Sequence, residues 1–312
     1  MHAEVGVSLV HVESGVHLSI QGAQPFPMAS VYKIPIALEL LTQVADGTLT
    51  LDREVTLGPS DIRACCTLSR RHPRGGVTLG VHDLLELMIT ESDNTAGDAL
   101  LKIVGGPAAV ERRMSAWGFK AIHVNRYEGE IAFEMVGVTH PPPVDEWTLD
   151  LQRRLISEVP AADVHAARAR YTRDPRDTAT PDDMAALLTR LQRGSLLPRP
   201  FTDLLLDLMA RARTGPHRLK GRLPPDIRVA HKTGTTDVVM NDVGLITLPD
   251  GGGHLAMAVF TMNGVRAAAT QSAIAELAAS AYEAFTGTTL PPPEQPKKQT
   301  VKKAAKRPRK KP

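Results

Sequence analysis

Ser30 and Lys33 stand three residues apart in Ser30-Val31-Tyr32-Lys33. At the start of a helix, that spacing puts both side chains on one face. A serine hydroxyl attacks a carbonyl at neutral pH only with a base beside it. A lysine can be that base when desolvation or a positive neighbour lowers its pKa. The positive end of a helix would also favour negative charge developing on Ser30 Oγ. Ser92-Asp93-Asn94 brings a second hydroxyl, a carboxylate and an amide, in an order that also caps helices well. Lys232-Thr233-Gly234-Thr235 ends a run containing Val229 and Ala230. There a cation and a hydroxyl can meet an anionic ligand, and the small Gly234 lets an extended ligand lie along an edge strand. Each motif is common alone. The three together name a nucleophile, its proton shuttles and an anion-binding strand.

These side chains need elements to hold them. Val5–Val12 and Val16–Ile20 alternate as two strands around a turn at Glu13-Ser14-Gly15. A helix is predicted from Ser30 to Ala45, with Pro35 in its first turns and Gly47 past its end. Further helices are expected over 82–104, 107–117, 181–193, 200–212 and 270–286, and strands over 227–232, 243–248 and 254–261. Strands at both chain ends with helices between them imply an α/β (α+β) fold: one antiparallel sheet flanked by helices, with an inserted all-α lobe. The expected division is 1–45 with 205–288 as the α/β lobe and 46–204 as the helical lobe.

Bulk composition narrows the function classes. The chain has 312 residues, 42% of them hydrophobic and 23% charged, as in ordinary globular proteins. No apolar run reaches the ~18–20 residues of a membrane span. Residues 289–312 carry nine Lys/Arg and one acid, or +8. Taking that from the chain's +3 leaves −5 for the body, which speaks against a nucleic-acid surface. The tail, opened by Pro291-Pro292-Pro293, is expected to be disordered and able to contact an anionic polymer or surface. Cys65 and Cys66 are neighbours, read as two thiols rather than a disulfide scaffold. His123, His140 and the other histidines show no ligand spacing, so neither a metal nor a cofactor is expected.

The ordered Ser-x-x-Lys, Ser-Asp-Asn and Lys-Thr-Gly motifs resemble those of the penicillin-recognising serine acyl-enzymes. Phe26-Pro27-Met28-Ala29 before Ser30 is similar to the nucleophile approach of class A serine β-lactamases. Arg176-Asp177-Thr178-Ala179-Thr180-Pro181 is similar to the end of their omega loop, and the resemblance runs from about residue 4 to about 287. It implies a two-lobed fold with the active site in the cleft, and β-lactam hydrolysis through an acyl-enzyme on Ser30. Lys33 and Ser92 would move protons, Lys232 with Thr233 would meet the substrate carboxylate, and the N–H groups of Ser30 and Thr235 would form the oxyanion hole. Asn94, Thr233 and Gly234 would bind substrate, while Asp93 orders its turn. Where many relatives carry a carboxylate-binding arginine, this chain reads Asn241-Asp242-Val243-Gly244. Arg218, in Thr214-Gly215-Pro216-His217-Arg218, resembles an alternative used by a subgroup. A monomer acting on a small β-lactam or peptidoglycan peptide is implied, in a periplasmic or secreted setting. No export signal is visible at Met1-His2-Ala3-Glu4, and the helix that family members carry before the first strand is expected to lie upstream of Met1.

The resemblance also implies an omega-loop glutamate in a Glu-x-x-x-Asn pattern, twelve residues before the arginine of Arg-Asp-Thr. That place holds Val164. Glu158, Asp163 and Asp174 are the substitutes considered for the deacylation base, and slow deacylation is expected. Asp177 is expected to pair with Arg168, Arg170 or Arg173. The alternatives are a D-Ala-D-Ala carboxypeptidase or related peptidoglycan hydrolase, which a missing glutamate favours, and a non-hydrolytic β-lactam sensor or envelope-binding module.

Overall fold

A computed structural model describes residues 3–264 and 266–292. The basic tail beyond Pro292 lies outside the described residues, as do Met1 and His2. β1 (Glu4–His11) turns into β2 (His17–Ile20) through Gly15, whose φ of 76° suits glycine. β3 (Phe26–Pro27) leads into a 3₁₀ turn, Ala29–Tyr32, and then α1 (Lys33–Ala45). The helical region follows, with β4 (Glu54–Leu57), α2 (Cys66–Arg71), β5 (Val77–Gly80), α3 (Val81–Thr90), α4 (Asn94–Ile103) and α5 (Pro107–Ala116). Then come α6 (Glu128–Val136), α7 (Leu149–Glu158), α8 (Ala161–Tyr171), β6 (Thr178–Ala179), α9 (Pro181–Gln192) and α10 (Arg199–Ala210). β7 (Val229–Thr235), β8 (Met240–Thr247), β9 (His254–Met262) and α11 (Ala267–Thr286) complete the fold.

The main sheet runs β2-β1-β9-β8-β7 and is antiparallel throughout. Val7 pairs with Val259, so the two ends of the chain meet in the middle of the sheet. One face packs on α11 through Leu9, Ile246, Met257, Ile274, Ala278 and Tyr282. The other packs on α9 and the main core through Ala258, Phe260, Met184 and Leu188. Burial of each such side chain contributes about 1.5–3 kcal/mol. β7 is an edge strand, and the 3₁₀ turn bearing Ser30 packs against it.

Three sequence expectations change. The helix expected over 82–104 is two helices, broken where Ser92 takes φ 59° and the Asp93 carboxylate caps α4 by accepting from Ala96 N at 3.1 Å. Two segments also pack away from their expected lobes. α9 lies on the sheet against β1, β8 and β9, while α1 packs with α3, α4 and α5. Their apolar faces are equally suited to a sheet or a helix partner, so periodicity alone does not choose. Finally, Cys65 and Cys66 are joined in a vicinal disulfide. Both have positive φ, 98° and 78°, a local backbone that their sequence adjacency did not reveal.

Candidate active site

Lys33 is fully buried at the head of α1. Its Nζ donates to Ser92 O and to Asn94 Oδ1, each at 2.7 Å, and lies 3.4 Å from Ser30 Oγ and 3.5 Å from Ser92 Oγ. A side chain at Gly97 would place its Cβ 3.1 Å from Lys33 Cε, so α4 keeps a glycine where the lysine passes. Burial lowers the Lys33 pKa, against the opposing pull of Glu128, Asp93 and Asp98. Lys232 is also fully buried, and its Nζ donates to Ser92 Oγ at 2.8 Å. Desolvation, and then the charge of Lys33, pushes its pKa well down. Ser92 therefore stands between two amines that both resist protonation. That arrangement can pass a proton along Ser30–Lys33–Ser92–Lys232.

The nucleophile's backbone is held from two sides. Ala29, just before Ser30, has φ 45°. Non-glycine residues in that region cost energy and cluster at functional sites. Asn241 on β8 donates its amide to Pro27 O at 2.9 Å and Met28 O at 3.1 Å. Met28 O would lie only 2.3 Å from a Cβ at Gly234. Gly234 therefore allows β7 to approach the 3₁₀ turn, bringing Thr235 beside Ser30. Asn94, accepting from Lys33 through Oδ1, keeps its amide N–H groups for a ligand. Asp93, fully buried, accepts from Leu68 N at 2.8 Å as well as from Ala96 N, so it orders the turn as expected. Cys66 Sγ lies 3.7 Å from Ser92 O, which places the vicinal disulfide directly behind the Ser92 turn.

Arg218 is buried behind the end of β7. It donates to Thr235 Oγ1 at 2.6 Å, Asn241 O at 2.7 Å and Gly234 O at 3.3 Å. Thr214 of the same segment bonds Thr233 Oγ1 at 2.7 Å. The arginine's charge thus backs the anion-binding strand. A buried pair that the sequence reading missed lies alongside: His231 Nδ1 contacts the Asp242 carboxylate at 2.8 Å, and that carboxylate accepts from Leu219 N at 3.1 Å. It ties β7, β8 and the Arg218 segment together.

Neither Glu158 nor Asp163 reaches the site. Both are exposed, at the end of α7 and the start of α8. Asp174 is occupied by Arg126 at 3.2 Å and Arg176 at 2.7 Å. The carboxylate that does reach the site is Glu128, the first residue of α6. Asp98 on α4 accepts from Glu128 N at 2.6 Å and Gly129 N at 3.2 Å, and Arg63 Nε holds Asp98 at 2.6 Å. Burial raises the Glu128 pKa, and Lys33 is the nearby charge that most strongly opposes the rise. Glu128 is thus a carboxylate close enough to Lys33 and Lys232 to feel both charges, which Glu158 and Asp163 are not placed to do. The partner expected for Asp177 is corrected: it is Arg126, with Nε to Oδ2 at 2.6 Å, both side chains buried. Asp177 Oδ1 also accepts from Asn125 N at 2.7 Å and Arg126 N at 3.2 Å. Arg168 pairs instead with Asp237 beyond β7, and Arg170 and Arg173 are exposed.

The physical reason is the size of the loop. Arg126 and Asp177 close an excursion 51 residues apart in sequence, containing α6, α7 and α8. A count of twelve from Arg176 lands inside this helical excursion, at Val164 on α8. The available signal was Arg126-Tyr127-Glu128 opening an apolar helix well upstream, with Glu130 accepting from Tyr127 N at 2.8 Å to cap it. The fourth residue after Glu128 is Ala132, so no asparagine follows the glutamate at that spacing.

With this geometry in hand, comparisons with known proteins are specific. The sequence profile of the beta-lactamase enzyme family matches residues 1–285. Beta-lactamase VEB-1 from Pseudomonas aeruginosa is 30% identical over 260 residues, covering 80% of this chain and 75% of that protein. The carbapenem-hydrolyzing beta-lactamase KPC from Klebsiella oxytoca is 27% identical, covering 82% and 75%. Among solved structures, a beta-lactamase from Chitinophaga pinensis superposes with a TM-score of 0.74 at 29% identity, covering 90% and 93%. An ancestral class A beta-lactamase gives 0.73 at 30% identity, covering 91% and 95%.

Proposed function

Because the chain belongs to the beta-lactamase enzyme family, among relatives of class A, we propose that it hydrolyses β-lactams through an acyl-enzyme on Ser30 and clears that adduct with Glu128. The observation carrying this reading is the linked set Ser30–Lys33–Ser92–Lys232, with Glu128 near enough to both lysines to feel their charge.

Lys33, kept poor in protons by burial, takes the Ser30 proton as Oγ attacks the β-lactam carbonyl. The developing oxyanion is held by the Ser30 and Thr235 N–H groups, a contribution worth about 10²–10³ in rate in comparable sites. Ser92, linked to both lysines, passes a proton to the departing ring nitrogen. Thr233 and Thr235 take the substrate carboxylate along β7, with the Arg218 charge behind them, and Asn94 donates to the substrate's side-chain carbonyl. Glu128 then takes a proton from the water whose oxygen attacks the ester carbonyl, the acyl–Oγ bond breaks, and that proton returns to Ser30 Oγ by way of Lys33, releasing the ring-opened acid. Without a base, the acyl-enzyme would persist. With Glu128 as the base, the reason for favouring a peptidoglycan-peptide hydrolase, a missing glutamate, falls away.

The Cys65–Cys66 pairing supports a periplasmic or secreted setting, since disulfides persist in oxidising compartments. The experiment that tests the function is single-turnover mass analysis of the Ser30 adduct in the unmodified enzyme and in Glu128→Gln. Accumulation of the adduct only in the variant is expected. Equal clearance in both would reject Glu128 as the base.

A further inference from the structure

Tyr32 lies between Ser30 and Lys33 on the 3₁₀ turn and is fully buried. Among the described residues its hydroxyl has no hydrogen-bond partner. A buried phenol normally finds one, because an unpaired polar group in the interior is costly. Among the charges around Tyr32, the Glu128 carboxylate bears on it most strongly, ahead of Asp98 and Asp177. Among the described residues, no donor hydrogen-bonds the Glu128 carboxylate. Its backbone N–H is anchored on Asp98, but its charged end is not. The Tyr32 hydroxyl and the Glu128 carboxylate are thus near enough to act on each other, short of an aligned hydrogen bond. The terminal torsion of a glutamate is broad, so a modest carboxylate rotation closes the gap. The amide that the Glu-x-x-x-Asn pattern would supply is absent, since Ala132 stands there. The second buried phenol without a partner, Tyr171 on α8, also feels the Glu128 charge, but its hydroxyl is directed to the Ala29 backbone, whereas Tyr32 is the phenol in side-chain reach of Glu128.

We propose that Tyr32 is a positioning residue: its hydroxyl donates to the Glu128 carboxylate and fixes the orientation in which Glu128 takes a proton from the hydrolytic water. This inference rests on Glu128 being the deacylation base. It assigns Tyr32 to deacylation and leaves acylation to Lys33 and Ser92, although Tyr32 and Lys33 are adjacent. The charged and titratable groups acting on Glu128 are Lys33 from α1, Asp98 from α4, Lys232 from β7 and Tyr32 itself. Tyr171 from α8 is also near enough to feel the Glu128 charge. A donated hydrogen bond favours the ionised carboxylate and so offsets part of the effect of burial.

The test is Tyr32→Phe, which removes one oxygen and keeps the ring. Acylation and deacylation are measured separately by rapid quench and intact mass across pH, beside Glu128→Gln. In Y32F the acylation rate should stay within about twofold, which also reports a folded site. Deacylation should fall roughly 3–10-fold, with its acidic limb moved up by about 0.5–1 pH unit, the size of one lost hydrogen bond. Deacylation and limb both unchanged in Y32F, while E128Q traps the adduct, would overturn the role of Tyr32 alone. Normal clearance in E128Q would overturn the base assignment beneath it. Should Y32F fail to fold, 3-fluorotyrosine placed at position 32 keeps the shape and strengthens the donor. The acidic limb should then move to lower pH, and an unmoved limb would refute the proposal.

Discussion

Asp98 accepts the backbone N–H of Glu128 at 2.6 Å, so a buried carboxylate on α4 sets where the general base begins. The same Asp98 is paired with Arg63 at 2.6 Å, and α4 starts at Asn94, whose amide oxygen accepts from Lys33. One helix therefore registers Lys33 and Glu128, the two bases proposed above, against each other. Asp98→Ala should free the first turn of α6 and leave Arg63 buried without its counter-charge. A loss of about 3–5 kcal/mol in stability is expected, as for other broken buried pairs. In the folded fraction, deacylation should slow more than acylation. Thermal melts and burst kinetics check both, and equal loss in the two steps would argue against a role confined to Glu128.

The two bases differ in how burial moves them, which gives the pH profile a direction. Burial raises the Glu128 pKa, and the ionised form is the base. Deacylation should therefore be lost, as pH falls, at a higher pH than an ordinary glutamate would give. Burial lowers the Lys33 pKa, and the neutral form is the base. Acylation should therefore rise with pH through a midpoint below that of an ordinary lysine. Measuring the two rates separately over pH 4–10 distinguishes the limbs, where about one decade of rate per unit marks a single titrating group. An acidic limb that survives in Glu128→Gln would assign it to another group.

Arg218 supports the anion-binding strand from behind. Arg218→Ala should raise KM for carboxylate-bearing β-lactams by roughly 10–100-fold, in line with losing a charge-assisted hydrogen bond. The effect should shrink for substrates whose carboxylate is esterified. Because Arg218 also donates to Asn241 O, some loss of melting temperature should accompany it. Equal effects on acid and ester would make Arg218 purely structural.

The neck of the long excursion is held by Arg126, which pairs with Asp177, Glu134 and Asp174. Arg126→Ala leaves the buried Asp177 without its counter-charge and should cost about 3–5 kcal/mol, while Asp177→Ala should cost less because Arg126 keeps its other two carboxylates. The double variant should cost less than the two singles added. Since Met28 N donates to Asp177 O at 2.9 Å, loosening this neck also reaches the residues before Ser30. A double-mutant cycle by thermal or urea unfolding measures the coupling, and strict additivity would deny it.

Much of this site was legible in the sequence because its parts are local. Ser30 with Lys33, Ser92 with Asn94, and Lys232 through Thr235 each lie within one turn or one strand end, and short spacings survive insertions. Arg218 was legible for the same reason, through Thr214 and Gly215. Glu128 was not, because its place was reckoned from Arg176 across a loop of unusual length. Three helices, α6 to α8, fill that span, and a count made in sequence carries no information about them. The packing of α1 and α9 was hidden differently. A helix with one apolar face shows that it packs, while the partner is decided by the tertiary fold. The Cys65–Cys66 linkage depends on positive φ at both residues, which their identity does not encode.

The central claim is that one enzyme both forms and clears the Ser30 adduct, with Glu128 responsible for the clearing. The most direct measurement is time-resolved intact mass after mixing with a penicillin, followed by peptide mapping of the adduct. The account predicts that the unmodified enzyme carries the label on Ser30 and loses it within seconds, and that Glu128→Gln holds it for minutes or longer. A label that persists in the unmodified enzyme, or that maps to a residue other than Ser30, would contradict it.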